Sequence, residues 1–256
     1  MVNPLANPGY RIQAATGIHR GDREYQQDQL CLLHHPRHSG CLLAVVADGM
    51  GGRSGGRKAS DQVMLTSRQL FERYDPHTDE AAALLRQIVQ ESHLVIKLTA
   101  ASTEQEPHST IAAFVINPHG DCHWAHAGDS RIYHFHMGKM VLRTIDHSYV
   151  QSLIHQGDIS EQEALNHPLA HVLMGCLGNE TDPPLDLHTL PQLRPGDALL
   201  ACSDGVWHYF APHELASAIT MLTPREACEF LLQKARARAK GTGDNLSLII
   251  VKIDPL

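Results

Sequence analysis

The stretch Ala47-Asp48-Gly49-Met50-Gly51-Gly52 closes an apolar run over residues 41–47. The run is short, apolar and bounded by turn residues, so it predicts a buried β-strand. The glycines after Asp48 allow the backbone to turn sharply and to bring its carbonyls close to a ligand. A carboxylate beside such carbonyls suits a hard divalent cation, which prefers oxygen ligands. A plain Asp-Gly turn without a ligand is the alternative for this stretch taken alone.

Two further aspartates have the same kind of neighbourhood. Asp204 follows an apolar run over residues 198–202, and Asp244 precedes another over residues 246–253. Each of the two lies beside a glycine at the edge of a predicted strand. Carboxylates gathered at one place repel each other unless cations neutralise their charge. Asp48, Asp204 and Asp244 together therefore indicate a metal site.

The composition is that of a globular protein large enough to bury a substantial core. The chain has 256 residues, of which 43% are hydrophobic and 19% charged, with a formal net charge of -7. A single domain over residues 1–256 is expected, with a short N-terminal arm over residues 1–9. The negative charge argues against nucleic-acid binding, which normally requires a basic face.

The cysteines and the hydropathy pattern predict a cytoplasmic protein. The six cysteines form no CxxC pair, and several lie in apolar runs, which is typical of a reducing compartment. We find no signal-peptide pattern and no apolar run long enough to cross a bilayer, so membrane insertion is not expected.

Nineteen histidines are an unusual number, but they are scattered along the chain. A histidine-rich metal store would need a tract or regular ligand spacing. We interpret most of them as surface or satisfied histidines, and keep a histidine-based metal-handling protein as a third hypothesis.

The hydrophobic periodicity predicts a mixed α+β domain. Ala59, Val63 and Leu70 fit a helical face, and a second helical stripe runs over residues 84–96. Residues 109–145 predict an antiparallel meander of strands. A capping box at Thr223 opens a helix that ends near Lys240, and a final strand begins at Leu246.

A small helical insert over residues about 146–178 separates the strand-rich parts. A capping box from Ser160 to Glu163 opens one of its short helices. We interpret this insert as a mobile flap, and a passive surface excursion remains the alternative.

The motifs, taken in order, resemble the metal-dependent serine/threonine protein phosphatases of the type 2C class, most of all the compact bacterial members. They are Arg23 with Asp28, Asp48-Gly49-Met50-Gly51-Gly52, Ser109-Thr110, Gly128-Asp129-Ser130-Arg131, Ser203-Asp204-Gly205 and Gly243-Asp244-Asn245. Each motif is weak alone, but their order and spacing match over about residues 12–253. The resemblance implies a four-layer α-β-β-α sandwich, in which two antiparallel sheets are flanked by helix pairs.

The resemblance also implies two Mn²⁺ or Mg²⁺ ions. Asp48 would bridge them, Asp204 and Asp244 would complete the shell of the first ion, and the Gly49 carbonyl would serve the second. Asp28 would act on the second ion directly or through water.

Arg23 matches the arginine that binds the substrate phosphate in this family, a task suited to a bidentate guanidinium. A water between two cations would attack phosphorus in line, without a covalent enzyme intermediate. Ser109, Ser130 and Ser203 are interpreted as structural.

Three positions depart from the family pattern. Gln27 stands where many members have Glu, which predicts a weaker second metal site. His208 stands where many have an acid that, with Asp129, helps bind a third, weaker ion; this site is therefore expected to be weak or pH-sensitive. Met50 replaces a histidine of the eukaryotic relatives, so water is expected to protonate the leaving group.

The function expected from the resemblance is hydrolysis of phosphoserine and phosphothreonine in proteins. The partners would be a phosphorylated protein substrate and a bacterial Ser/Thr kinase pathway that the enzyme opposes, and a monomer is expected. The alternative is a catalytically weakened phosphatase-fold binding module, a scaffold, as Gln27 and His208 suggest.

Overall fold

The computed structural model describes residues 9–101 and 106–256, apart from the side chain of Arg53. The strands are β1 (Tyr10–His19), β2 (Gln29–His34), β3 (Leu42–Ala47), β4 (Gly49–Met50), β5 (His108–Ser109), β6 (Ile111–Ile116), β7 (Cys122–Ala127), β8 (Arg131–His136), β9 (Lys139–Arg143), β10 (Asp186–Leu190), β11 (Asp197–Cys202) and β12 (Leu246–Pro255). The helices are α1 (Gly52–Arg73), α2 (Ala81–Ala101), α3 (Tyr149–Gln156), α4 (Glu161–Ala164), α5 (Asp204–Trp207), α6 (Pro212–Met221) and α7 (Pro224–Ala239).

Two antiparallel five-stranded sheets form the centre of the molecule. Sheet A has the order β1-β12-β11-β8-β9, and sheet B has the order β10-β7-β6-β3-β2. Alternate residues of facing strands, such as Phe114 and Trp124 of sheet B and Leu199 and Ile249 of sheet A, pack together between the sheets. Apolar runs that are buried on both faces are what such a sandwich requires.

A pair of helices covers the outer face of each sheet. Helices α1 and α2 bury residues such as Val63 and Leu85 against sheet B, and α6 and α7 bury Leu215 and Leu231 against sheet A. The predicted α-β-β-α sandwich is therefore confirmed. In the described ranges, no helix has both the length and the apolar composition that crossing a bilayer requires.

The predicted meander over residues 109–145 is wrong in its topology. Strands β6 and β7 form a hairpin in sheet B, whereas β8 and β9 form a hairpin in sheet A. The chain crosses between the sheets at Gly128-Asp129-Ser130. Strand β6 is buried along its whole length and β8 along most of it, so periodicity alone does not reveal the sheet to which each belongs.

Other parts of the secondary structure differ in extent or were missed. Helix α1 begins at Gly52, before the predicted start after Gly56. Strand β10 lies in the proline-rich stretch 181–195, where no strand was predicted, and α6 was also missed. Helices α3, α4 and α7 lie where they were predicted, with capping boxes at α4 and α7. Residues 1–8 of the predicted N-terminal arm lie outside the described residues.

The sandwich brings the ends of several strands to one place. Strand β3 ends just before Asp48, and β11 ends just before Ser203 and Asp204. Strand β12 begins just after Asp244, and its antiparallel register places Leu248 opposite Cys202. The three predicted metal aspartates therefore lie at the same end of the sandwich.

Candidate metal centre

Asp28 is a fully buried carboxylate with one satisfied and one unsatisfied oxygen. Its Oδ2 accepts hydrogen bonds from Ser203 Oγ at 2.7 Å and from Ser247 Oγ at 2.8 Å. Its Oδ1 is buried and has no hydrogen-bond partner. Burial raises the pKa of Asp28 to about 7, although the two hydroxyl bonds oppose the shift. Ionisation of Asp28 is therefore unfavourable in the protein alone, and its free oxygen needs a further partner.

Asp48 is held by its backbone, and its carboxylate faces other carboxylates. Its N–H donates to Thr110 Oγ1 at 3.0 Å, and its carbonyl accepts from the Thr110 N–H at 2.9 Å. Burial is the main cause that raises the pKa of Asp48 well above its ordinary value, and the charges of Asp28 and Asp204 add to it. This carboxylate is therefore positioned among other negative charges rather than neutralised by a protein cation.

Asp204 and Asp244 differ in their partners. Oδ1 of Asp204 is buried without a hydrogen-bond partner, and its Oδ2 lies 3.8 Å from Nδ1 of His171. Oδ2 of Asp244 forms an ion pair of 2.5 Å with Nη2 of Arg23, and its Oδ1 accepts from the Asn245 N–H. Arg23 itself is 60% exposed, so much of its guanidinium remains open to solvent.

Two glycines allow the close packing around these residues. A Cβ on Gly49 would collide with the carbonyl of Gly56 in α1 and lie 2.7 Å from the Gln27 carbonyl oxygen. A Cβ on Gly205 would collide with the Asn245 carbonyl. The residue after Asp48 and the residue after Asp204 must therefore be glycine for steric reasons. The sequence motif shows these glycines, but only the structure explains them.

Asn245 fastens the loop that carries Arg23, a role that the sequence did not reveal. Its side-chain amide donates to the carbonyls of Arg20 at 2.8 Å and Tyr25 at 2.9 Å. Its Oδ1 accepts the Gln27 N–H at 2.6 Å. The residue beside Asp244 therefore orients the predicted phosphate-binding loop.

Asp129 and His208, predicted for a third ion, both line a cavity of about 510 Å³ beside Asp204. Burial and the Asp204 charge raise the pKa of Asp129 well above its ordinary value, whereas burial lowers the pKa of His208. His171 of the flap, whose ring lies 6.3 Å from that of His208, lines the same cavity. Sequence reasoning missed His171, since only the fold brings the flap to Asp204.

Gln27 and Met50, the two other departures, have local structural contacts. Gln27 Nε2 donates to the Gly52 carbonyl at 2.7 Å, at the start of α1. Met50 lies in β4, paired with His108 of β5. The glutamine side chain thus binds protein backbone in this structure.

The three serines that the sequence analysis interprets as structural all form hydrogen bonds. Ser203 Oγ bonds Asp28, Ser130 Oγ lies 2.7 Å from Thr110 Oγ1, and Ser109 Oγ donates to the Thr110 carbonyl at 2.9 Å. All three serines are fully buried. Ser203 thus orients Asp28, and Ser109 and Ser130 hold Thr110, which binds the Asp48 backbone. These contacts support the structural interpretation of the three serines.

The residues at this end of the sandwich fit hard divalent cations. The donors are carboxylates and backbone carbonyls, which is the oxygen set that Mg²⁺ and Mn²⁺ prefer. The buried, unpartnered oxygens of Asp28 and Asp204 are atoms that a cation would satisfy. The mutual repulsion that raises the pKa of Asp48 would likewise be relieved by bound positive charge.

Comparison with known proteins agrees with this chemistry. A family model described as protein phosphatase 2C matches residues 18–231. The serine/threonine phosphatase stp of Listeria monocytogenes is 29% identical over 246 residues, which cover 90% of this chain and 95% of that protein.

Solved structures match nearly the whole chain. The serine/threonine phosphatase PstP/Ppp of Mycobacterium tuberculosis matches with a TM-score of 0.82 at 26% identity, covering 95% of this chain and 99% of that chain. A catalytic domain of PstP in complex with two manganese ions matches with a TM-score of 0.79 at 25% identity, covering 95% and 98%. The resemblance stated from the motifs is thus confirmed, and the chain belongs to the protein phosphatase 2C family.

Proposed function

We propose that this protein is a metal-dependent serine/threonine phosphatase whose centre is the aspartate cluster, defined as Asp28, Asp48, Asp129, Asp204 and Asp244. The observation that carries the proposal is the gathering of these carboxylates at one end of the sandwich, with Asp28 and Asp129 buried and the other three half-buried. Buried oxygens of Asp28 and Asp204 are left without a hydrogen-bond partner. A protein without bound cations gains nothing from such an arrangement, because each buried, unpaired charge costs free energy.

Within the cluster, Asp48, Asp204 and Asp244 would hold one ion, and Asp48, Asp28 and the Gly49 carbonyl would hold a second, as Mn²⁺ or Mg²⁺. When bound, the ions would supply Lewis-acid activation of water and neutralise charge on the phosphoryl oxygens. Asp129 and His208 would take a third, weaker ion in the neighbouring cavity.

Arg23 would bind the substrate phosphate. Its Nη2 pairs with Asp244, and this pairing is the main cause that raises the pKa of the guanidinium, so the group keeps its charge. The exposed remainder of the guanidinium can donate two parallel hydrogen bonds to phosphate oxygens. Since the Asn245 amide fastens the surrounding loop, Arg23 is held at the edge of the cluster.

The substrate is a phosphorylated protein, and a kinase must have produced it, so we place the enzyme opposite a Ser/Thr kinase. All six cysteines are free and buried, which supports a cytoplasmic location. We expect a monomer, which sedimentation would test. The alternative of a binding module is not supported, because the aspartates and Arg23 are all present.

The test is hydrolysis of p-nitrophenyl phosphate and of a phosphothreonine peptide in EDTA, Mg²⁺ or Mn²⁺. We expect turnover that EDTA abolishes and Mn²⁺ restores, and that Asp204→Asn removes. Asp182→Asn, at a fully exposed aspartate, is the matched control and should retain turnover. Metal-dependent turnover that survives Asp204→Asn would overturn the assignment of the centre.

A further inference from the structure

A group of two histidines and one aspartate lies apart from the aspartate cluster. His126 is in β7, Asp186 is its direct cross-strand partner in β10, and His147 comes just before α3 at the start of the flap. One nitrogen of each imidazole and one carboxylate oxygen of Asp186 all lie within 4.8 Å of one another. The rings of His126 and His147 stack at 4.5 Å with an angle of 13°.

His126 is buried with one nitrogen that has no partner. Cys122 and Trp124 lie on the same face of β7 as His126, because they precede it by four and by two residues. Both belong to the core between the sheets, so the imidazole points into that layer. Its Nε2 lies 2.8 Å from the Ile145 carbonyl, to which only a protonated nitrogen can donate. Nδ1 is therefore the nitrogen that carries the lone pair, and it is buried without a hydrogen-bond partner.

This arrangement is the one that metal-binding histidines use. A ligating imidazole commonly donates its other N–H to a backbone carbonyl, which sets the tautomer and the ring orientation. Burial also lowers the pKa of His126 to about 4, so protons do not compete for the lone pair at neutral pH. His126 is only 1% exposed, so a lone pair on Nδ1 without a partner otherwise costs folding free energy.

His147 and Asp186 complete the donor set. Nε2 of His147 lies 3.5 Å from Oδ2 of Asp186, and the Asp186 carboxylate is 62% exposed, which leaves a path from solvent. Two imidazoles and a carboxylate suit a borderline cation such as Zn²⁺, with a water in the fourth position. They suit Mg²⁺ poorly, because that ion prefers oxygen ligands.

We propose that His126, His147 and Asp186 form a separate cation site that takes Zn²⁺ or a similar borderline ion. The ion would tie the base of the flap to sheet B. His147 begins the flap, and its carbonyl accepts the N–H of Met174 at 2.8 Å, so both ends of the flap meet at this residue. Asp186 belongs to the strand that follows the flap.

Zinc binding has a definite cost at His147. Its Nδ1 now accepts the Gly128 N–H at 3.2 Å, which places the ring proton on Nε2. Ligation through Nε2 moves that proton to Nδ1 and breaks this contact. The site is thereby linked to the turn that precedes Asp129.

The test is a Zn²⁺ titration in competition with a chromophoric chelator, with millimolar Mg²⁺ present to occupy the oxygen sites. We expect one tight Zn²⁺ per chain, and an affinity in Asp186→Asn and in His147→Gln that falls by more than the about 10–100-fold typical of losing an outer-shell partner. Zn²⁺ should also raise the Tm of the natural protein and not that of Asp186→Asn. Because Asp186 is exposed, its variant should fold, which thermal unfolding in EDTA checks.

Two control variants locate the ion. Asp75→Asn tests the other group of similar spacing within the described residues, His38 with Asp75 and His77, and should leave Zn²⁺ affinity unchanged. Asp204→Asn tests the aspartate cluster and should do the same. Unchanged affinity in both Asp186→Asn and His147→Gln, or loss in either control, would overturn the proposal. No readout involves turnover, so the result is independent of the proposed phosphatase activity.

Discussion

The aspartate cluster and the Arg131–Asp146 pair are neighbouring sets of buried and half-buried charge, and their charges are compensated in different ways. Asp129 and Asp204 of the cluster line the same cavity of about 510 Å³ as Arg131 and Asp146. Arg131 meets Asp146 with two hydrogen bonds of 2.7 Å, and its guanidinium lies 3.4 Å from the centre of the Trp207 ring. The pair thus satisfies its charges inside the protein.

The cluster is balanced only at its edge, where Arg23 pairs with Asp244, and Asp28 and Asp204 keep buried oxygens without a hydrogen-bond partner. Its pKa shifts are upward for Asp28, Asp48 and Asp129, with burial as the first cause in each. An upward shift disfavours the charged form of these carboxyls. The pKa of Arg131 is also raised, but for a base this favours the charged form. Burial opposes this shift, and Tyr133 and Asp146 cause it. The difference shows how to tell structural from functional charge. The charges of a structural pair are compensated within the protein, whereas those of a functional cluster need a bound cation.

The strongest test of the comparison is Asp48→Asn. We expect turnover to fall about 10³-fold or more, because the bridging carboxylate is lost. In EDTA the variant should be more stable than the natural protein, because a buried, repelled charge has been removed. Phosphatase assays with Mn²⁺ and urea unfolding in EDTA measure the two effects. A variant that loses both activity and metal-free stability would contradict the functional interpretation of the cluster.

The reverse result is expected for Asp146→Asn. Removal of the carboxylate leaves Arg131 buried without its bidentate partner, so unfolding should become easier by about 3–5 kcal/mol. Urea unfolding measures this loss, with Asp182→Asn as an exposed control. If the loss is below about 1 kcal/mol, Arg131 is not held by this pair and the comparison fails.

Arg23→Lys tests the edge of the cluster, where the protein's own cation is exposed. Lysine keeps the charge but loses the bidentate geometry, so we expect kcat/KM for a phosphopeptide to fall about tenfold. Stability should change by less than about 0.5 kcal/mol because Arg23 is exposed. Arg20→Lys, in the same loop, is the matched control and should leave kcat/KM unchanged.

The smallest change in stability is expected at the Arg238–Glu214 pair, whose charges are compensated but less buried. Arg238 donates to both carboxylate oxygens of Glu214, at 2.9 and 2.5 Å, and lowers the pKa of Glu214 to about 2. Both side chains are about one-third exposed, so Glu214→Gln should cost less than about 1 kcal/mol, and less still at high salt.

The pH dependence of this pair follows from the lowered pKa. The unfolded chain binds the proton first, so the contribution is complete above pH 4.5 and is lost as the pH falls towards about 2. The difference in unfolding free energy between the natural protein and Glu214→Gln should shrink over this window. A difference that grows as the pH falls would contradict the sign.

Much of the site could be predicted because its signals are local. Asp48, Asp204 and Asp244 each lie beside a glycine and an apolar run, and the fold places all three at one end of the sandwich. The capping box at Thr223 likewise predicts the start of α7 correctly, since its hydrogen bonds join residues three apart.

The missed features depend on distant parts of the chain. Strand β10 is short and largely exposed, and it exists because it pairs with β7. His171 gains its place beside Asp204 only through the position of the flap. The assignment of the β8–β9 hairpin to sheet A follows from the pairing of β8 with β11, whose residues Asp197 to Cys202 pair with His136 to Arg131.

By itself, the sequence determined the chemistry of the centre: which side chains offer oxygen donors, which glycines flank them, and which family the motifs resemble. The tertiary structure alone decided which charges are paired and which are left open. Hydrogen bonds such as Ser247 to Asp28 or Asn245 to Arg20 join residues more than 200 positions apart. Desolvation and pairing depend on such contacts in space, and periodicity along the chain does not record them.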